Sequence, residues 1–130
     1  MDYPGSLLIG IAIDLLRGEM AYRTGDYASA VTEFEKAVAA QDTLPYTEPP
    51  FWYYPTRQSL GAALLKAGDP VAAEAVYRAD LKAYPHNGWS MLGLAQSLTA
   101  QGKTEDAAMA QAHFKTAWQF ADTKIEASIL

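Results

Sequence analysis

Three glycine-led turns constrain this chain more than any other feature: Gly25-Asp26, Gly68-Asp69 and Gly102-Lys103. Gly68 and Gly102 are 34 residues apart, and Gly25 and Gly68 are 43 apart, the same interval plus nine. Their neighbours recur with them. Ala30, Ala73 and Ala107 each follow their glycine by five residues, while Gly18, Gly61 and Ala95 each precede it by seven. Small residues at fixed offsets let two helices approach closely. A period of this length marks units that bury their apolar faces only by stacking on one another.

Between the turns the apolar residues fall at helical spacing. Leu60, Leu64 and Leu65 form one stripe, Ala72, Ala75, Val76 and Ala79 a second, and Val31, Phe34 and Val38 a third. Each unit therefore reads as helix, turn, helix. The glycines suit left-handed caps on the first helices. Asp26, Asp69 and Thr104 can accept hydrogen bonds at the start of the second helices. Pro70 fits a first helical turn, where its missing N–H costs little. The pattern predicts helices over 6–24, 26–41, 49–67, 69–84, 88–101 and 103–122, and no clear signal over 122–130.

Arg57, Leu60-Gly61, Leu64, Ala73, Tyr77 and Pro85 have the spacing of the tetratricopeptide-repeat pattern W-x2-L-G-x2-Y, A-x3-F, P, and the second unit resembles that family. Arg57 departs most in type. The third unit matches at Met91, Leu94-Ala95, Leu98 and Ala107, then departs at Gln111 and Phe114. The first fits at Gly18, Gly25, Asp26, Ala30, Phe34 and Ala37, with Arg17 and Ala21 replacing large apolar residues. The run from Glu48 to Lys103 also looks like the C-terminal repeats of longer bacterial members. The resemblance implies an all-α, right-handed superhelical solenoid of antiparallel helix hairpins. It has about three repeats and six helices, with an insertion between the first two. As one domain over 1–130, this gives repeat 1 at about 11–44, an aromatic and proline-rich insertion at 45–53, and repeat 2 at about 54–87. Repeat 3 with a capping helix covers about 88–122, and a tail covers 123–130.

In such a stack the first helices line a concave face. The resemblance places Leu15, Glu19, Tyr22 and Arg23, then Gln58, Ala62, Leu65 and Lys66, then Trp89, Leu92, Gln96 and Thr99 on that face, with His86 and Asn87 in the approach loop. This mixture of apolar, amide and cationic groups suits an unidentified protein or peptide, bound by apolar anchors and amide hydrogen bonds. The Lys, Asn and Arg clamp with which cochaperone members grip a terminal carboxylate is absent. Leu15, Glu19, Gln58, Ser59, Ala62 and Trp89 stand there instead. For Arg23 and Lys66 the plainer reading is a charge that offsets the dipole at a helix C-terminus.

The nine extra residues fall in Tyr46–Pro55, YTEPPFWYYP, with five aromatics and three prolines. Thr47 can cap a helix and Glu48 suits a first turn. Packing of these rings over the junction between repeats is the simplest reading. A ring-lined pocket and a contact with another subunit remain the alternatives. Arg57 and Asp80 replace residues that the pattern leaves apolar or small. They are expected either to pair across the helix hairpin or, through Asp80, to cap the next repeat.

Composition narrows the function further. The chain has 130 residues, half of them hydrophobic, a net charge of −5 and no Cys. A core of this size needs no metal or disulfide, and thiol chemistry is excluded. The ten Lys and Arg are scattered, which argues against nucleic acid as a partner. The apolar run Ser6–Ile13 lacks a preceding positive charge and is too short to span a membrane, so a soluble cytoplasmic protein is expected. Two His, no metal-ligand spacing, no phosphate loop and no nucleophile elbow argue against an enzyme, a cofactor or a metal site.

The chain ends differ. Phe114, Ala117, Trp118 and Ala121 give the last helix one apolar side, opposite Gln111, Lys115 and Gln119, as a cap needs. Leu7, Leu8, Ile9, Ile11, Ile13, Leu15 and Leu16 surround the first helix, which expects burial on more than one side. Self-association as a homodimer through Leu7, Leu8 and Ile11 is one expectation. Packing against preceding repeats, with this chain a C-terminal cap or dimerisation segment of a larger protein, is the other.

Overall fold

A computed structural model describes residues 4–45 and 56–129. These residues hold six helices: α1 (Gly5–Arg23), α2 (Tyr27–Asp42), α3 (Thr56–Lys66), α4 (Pro70–Ala83), α5 (Gly88–Ala100) and α6 (Thr104–Trp118). Consecutive helices pack as neighbours, and the first helices of the hairpins also touch, α1 on α3 and α3 on α5. The result is a helical repeat stack of three hairpins with α1, α3 and α5 side by side on one face.

The turn chemistry follows the sequence. Gly25, Gly68 and Gly102 have φ of 84°, 86° and 75°, the left-handed conformation that a side chain disfavours. Asp26 accepts from the Ser29 N–H at 3.2 Å and Asp69 from the Ala72 N–H at 3.0 Å, so both cap as expected. The third turn differs. Thr104 is the first residue of α6, its cap position falls on Lys103, and no side chain caps it. Glu105 and Asp106 in the first turn supply favourable charge instead.

The small residues at fixed offsets are contact points between helices. Ala30, Ala73 and Ala107 are buried. Gly18 lies against the Phe34 ring, and Gly61 against the Tyr77 ring, with no room for a Cβ at either. Tyr77 also presses on Gly93 of α5, so one ring joins its own hairpin to the next. Phe34, Leu60, Ala63, Ala73 and Tyr77 belong to one core cluster running across the first two hairpins. A smaller cluster of Ala95, Leu98, Ala107 and Ala110 serves the third.

Residues 46–55 lie outside the described residues, and with them the expected early start of α3 and the aromatic stretch. Their flanks are tied together. Gln41 Oε1 accepts both the main-chain N–H, at 3.1 Å, and the hydroxyl of Thr56, the first residue of α3. Arg57 makes a two-pronged ion pair with Asp42, at 2.8 and 2.7 Å. Arg57 therefore does not pair with Asp80, one of the two expected arrangements. Asp80, 2% exposed, instead accepts from Asn87 at 2.8 Å and Ser90 at 2.5 Å. It reaches the start of α5, as the other arrangement required, but through side chains rather than main-chain N–H groups.

The two ends also resolve into specific packing. On α1, Leu8 and Ile11 are buried, so two of the three residues expected on an association surface belong to the interior. The exposed apolar stripe is Ile9, Ile13, Leu16 and Met20. The last helix stops at Trp118, earlier than the sequence suggested. The Trp118 indole lies against Gly88, meets Trp89 edge-on at 5.6 Å and stacks on Phe114. Its N–H donates to the Thr123 carbonyl at 2.6 Å and fixes the turn that follows.

Candidate functional site

That turn sends residues 123–129 back across the face made by α1, α3 and α5. The segment is irregular, and it ends in the core: Ser128 and Ile129 are buried, and Ile129 joins the cluster that contains Leu60, Ala62, Ala63 and Leu64. Besides the Trp118 bond to the Thr123 carbonyl, three hydrogen bonds hold it. Gln96 donates to the Glu126 carbonyl at 2.7 Å. The Ser128 hydroxyl donates to the Gln58 carbonyl at 2.7 Å and is bonded by the Tyr77 hydroxyl.

Beside this segment lies a cleft of about 720 Å³. Its walls are Tyr22 from α1, Ala62, Leu65 and Lys66 from α3, and Trp89 and Gln96 from α5, facing Thr123–Ala127 and Ile129. Six of the fourteen residues proposed for the groove, Tyr22, Ala62, Leu65, Lys66, Trp89 and Gln96, thus share one cleft.

The other proposed residues are placed differently. Leu15 packs against the core cluster, and Leu92 is buried. Glu19 pairs with Arg23 at 2.9 Å along α1, in the manner of an exposed i,i+4 pair. Gln58 and Asn87 are joined by a 2.6 Å hydrogen bond. Asn87 further donates to Asp80 and accepts from the Trp89 N–H as the cap of α5. These two amides position α5 against α3. Thr99 donates to the carbonyl of Ala95, and His86 is exposed in the turn before α5.

Electrostatics are mild in the cleft. Burial raises the Tyr22 phenol, with Tyr27 and Glu19 adding to the effect and Arg23 opposing it. Tyr22 meets Tyr27 edge-on at 5.5 Å. The strongest shift lies away from the cleft, at Glu74 on α4. Hydrogen bonds from Lys103 at 2.9 Å, Gln101 at 2.8 Å and Arg78 at 2.8 Å hold its carboxyl down to about 2. This ties the second hairpin to the third. Among the described residues no group of three or more His, Asp or Glu could hold a metal ion, and no helix is long and apolar enough to cross a membrane.

Sequence profiles described as tetratricopeptide repeat match residues 12–45 and 64–110. The chain belongs to the tetratricopeptide-repeat family. The first match covers the α1–α2 hairpin, and the second runs from the end of α3 into α6. Tetratricopeptide repeats generally serve as non-catalytic scaffolds for protein–protein interaction. A match was found neither among curated proteins nor among solved structures.

Sequence reasoning missed the residues that matter most to this face: Ser128, Ile129 and the carbonyl of Glu126. Residues 123–129 have no helical period and no motif. The one available signal is Ile125, Ala127 and Ile129 at alternating positions.

Proposed function

We propose that the face of α1, α3 and α5 is a recognition surface for a short non-helical segment of a partner protein, bound without chemistry. One observation carries this reading: residues 123–129 already rest there, with a main-chain carbonyl, a hydroxyl and an aliphatic side chain each satisfied by the repeat helices. Gln96 reads backbone, which every peptide has. Leu65, Trp89 and Tyr22 offer apolar and ring surface, and Lys66 a cation at the edge. Panning a displayed pool of eight-residue segments against the chain tests it. Binders should lose affinity for a Lys66→Glu, Gln96→Ala variant that keeps its helicity. Binders indifferent to both changes would sink the reading.

A second reading rests on α1. Ile9, Ile13, Leu16 and Met20 recur every three or four residues along one side and are 43–62% exposed. Such a stripe suits packing against a second copy. Light scattering decides it: a dimer that Ile13→Asp converts to a monomer supports this reading, and a monomer at high concentration excludes it.

A further inference from the structure

The segment after α6 is held in an unusual way for something so deeply seated. Among the described residues, no main-chain to main-chain hydrogen bond ties residues 122–129 to a helix. Each of its fixing points involves a side chain: Trp118 on the Thr123 carbonyl, Gln96 on the Glu126 carbonyl, and the Ser128 hydroxyl between the Tyr77 hydroxyl and the main-chain carbonyl of Gln58. Lys124 and Glu126 are exposed, while Ala127 is half-buried and Ser128 and Ile129 are buried. This is how a peptide ligand is bound: some side chains are taken into the protein, others are left exposed, and the backbone is read by a side-chain amide.

Resting on the groove reading above, we infer that residues 123–129 are a resident ligand in cis. They keep the groove closed until a partner segment of the same chemistry displaces them: a small residue, then Ser or Thr, then a branched aliphatic. Each position has a physical reason. The buried Ser128 oxygen lies between a donor, Tyr77, and an acceptor, the Gln58 carbonyl, so the groove wants a hydroxyl. A residue without one gives up both bonds, which disfavours it. Ile129 enters the core cluster that holds Leu60, Ala62, Ala63 and Leu64 of α3 together with Phe34 and Tyr77. Ala127 packs at the edge of the same cluster, where a small side chain fits. A tethered ligand competes at an effective concentration on the order of millimolar, and the partner's apparent affinity falls in proportion to the open fraction.

The test uses the full chain and a fluorescein-labelled, end-blocked peptide spanning residues 122–129, read by anisotropy. The proteins are the wild type, Ile129→Asp, the milder Ser128→Ala, and Ile129→Asp with Gln96→Ala. The inference predicts about tenfold or more tighter binding to Ile129→Asp than to wild type. Ser128→Ala should fall between them, and the Gln96→Ala change should weaken the peptide again. Circular dichroism checks that each variant keeps its helices; should Ile129→Asp unfold, Ser128→Ala alone must still bind tighter than wild type. A displayed pool of segments is panned on the same proteins. Pool binders that are lost on Lys66→Glu but bind wild type and Ser128→Ala equally well would overturn the gating and leave the groove reading standing. No binder to any of the proteins would overturn both. A wild-type dimer that Ile129→Asp dissociates would assign the segment to a second copy and overturn the partner assignment.

Discussion

The Ser128 hydroxyl donates to the main-chain carbonyl of Gln58, 70 residues earlier in the chain, at 2.7 Å. A serine hydroxyl has one proton. With that proton given to Gln58, the bond between Ser128 and Tyr77 must run the other way, from the Tyr77 phenol to the Ser128 oxygen. The buried order Tyr77, Ser128, Gln58 connects α4, the final segment and α3. The same Tyr77 ring presses on Gly61 and Gly93. One residue therefore organises both the repeat packing and the seating of the segment.

These two roles separate by substitution. Tyr77→Phe keeps the ring and removes the donor; it should cost about 1 kcal/mol and loosen the final segment while the helices stay. Gly61→Ala puts a methyl group where the ring already lies, with Gly93 blocking retreat, and should cost about 1–3 kcal/mol through overpacking. Urea melts give the totals, and hydrogen exchange over residues 123–129 should respond far more to Tyr77→Phe than its stability loss explains.

The flanks of the insertion carry unequal bonds. Gln41 serves the N–H of Thr56, which is wholly buried, whereas the Arg57–Asp42 pair is partly exposed. Gln41→Ala leaves a buried donor without its acceptor and should cost about 1–3 kcal/mol. Arg57→Met should cost about 1 kcal/mol or less. The order of the two losses in thermal or urea melts is the point to check, and a larger loss for Arg57→Met would reverse the account of this junction.

Acid should reveal Glu74. Its carboxyl is lowered from the ordinary 4.5 to about 2 by its hydrogen bonds, first that from Lys103. A lowered folded value means that the unfolded chain takes up the proton first. The stabilisation is therefore complete above pH 4.5 and is lost as pH falls from there through about 2. Glu74→Gln should flatten that part of the stability profile relative to wild type. An unchanged acid limb in the variant would show that the contacts with Lys103, Gln101 and Arg78 do not hold in solution.

Asp80 is the buried carboxylate of the α4–α5 junction. Asp80→Ala removes the acceptor of Asn87 and Ser90. It should lower the melting temperature by several degrees, in line with a loss of about 1–3 kcal/mol for unpaired buried donors. A drop of less than a degree would mean that the two donors find other partners.

The repeat was legible because its causes are local. Gly25, Gly68 and Gly102 take a conformation that few other residues accept, and Gly18 and Gly61 face a ring that tolerates no Cβ, so identity and spacing survive in the sequence. Helix caps at Asp26 and Asp69 were legible for the same reason. The partner of Arg57 was not, because Asp42 comes close only once the chain has crossed the insertion. On α1 the hydrophobic residues were visible but their sides were not: Leu8 and Ile11 face in, while Ile9 and Leu16 face out. The final segment was the least legible. Its hold consists of long-range side-chain contacts, from Ser128 to Tyr77 and from Glu126 to Gln96, which leave no period behind.

The most direct measurement is a chemical-shift titration of the isotope-labelled Ile129→Asp chain with the unlabelled peptide spanning residues 122–129. Saturable shifts centred on Tyr22, Leu65, Lys66, Trp89 and Gln96 are the predicted result. Shifts centred instead on Ile9, Ile13 and Leu16, or on the outer helices α2, α4 and α6, would contradict the claim that the face of α1, α3 and α5 is the recognition surface.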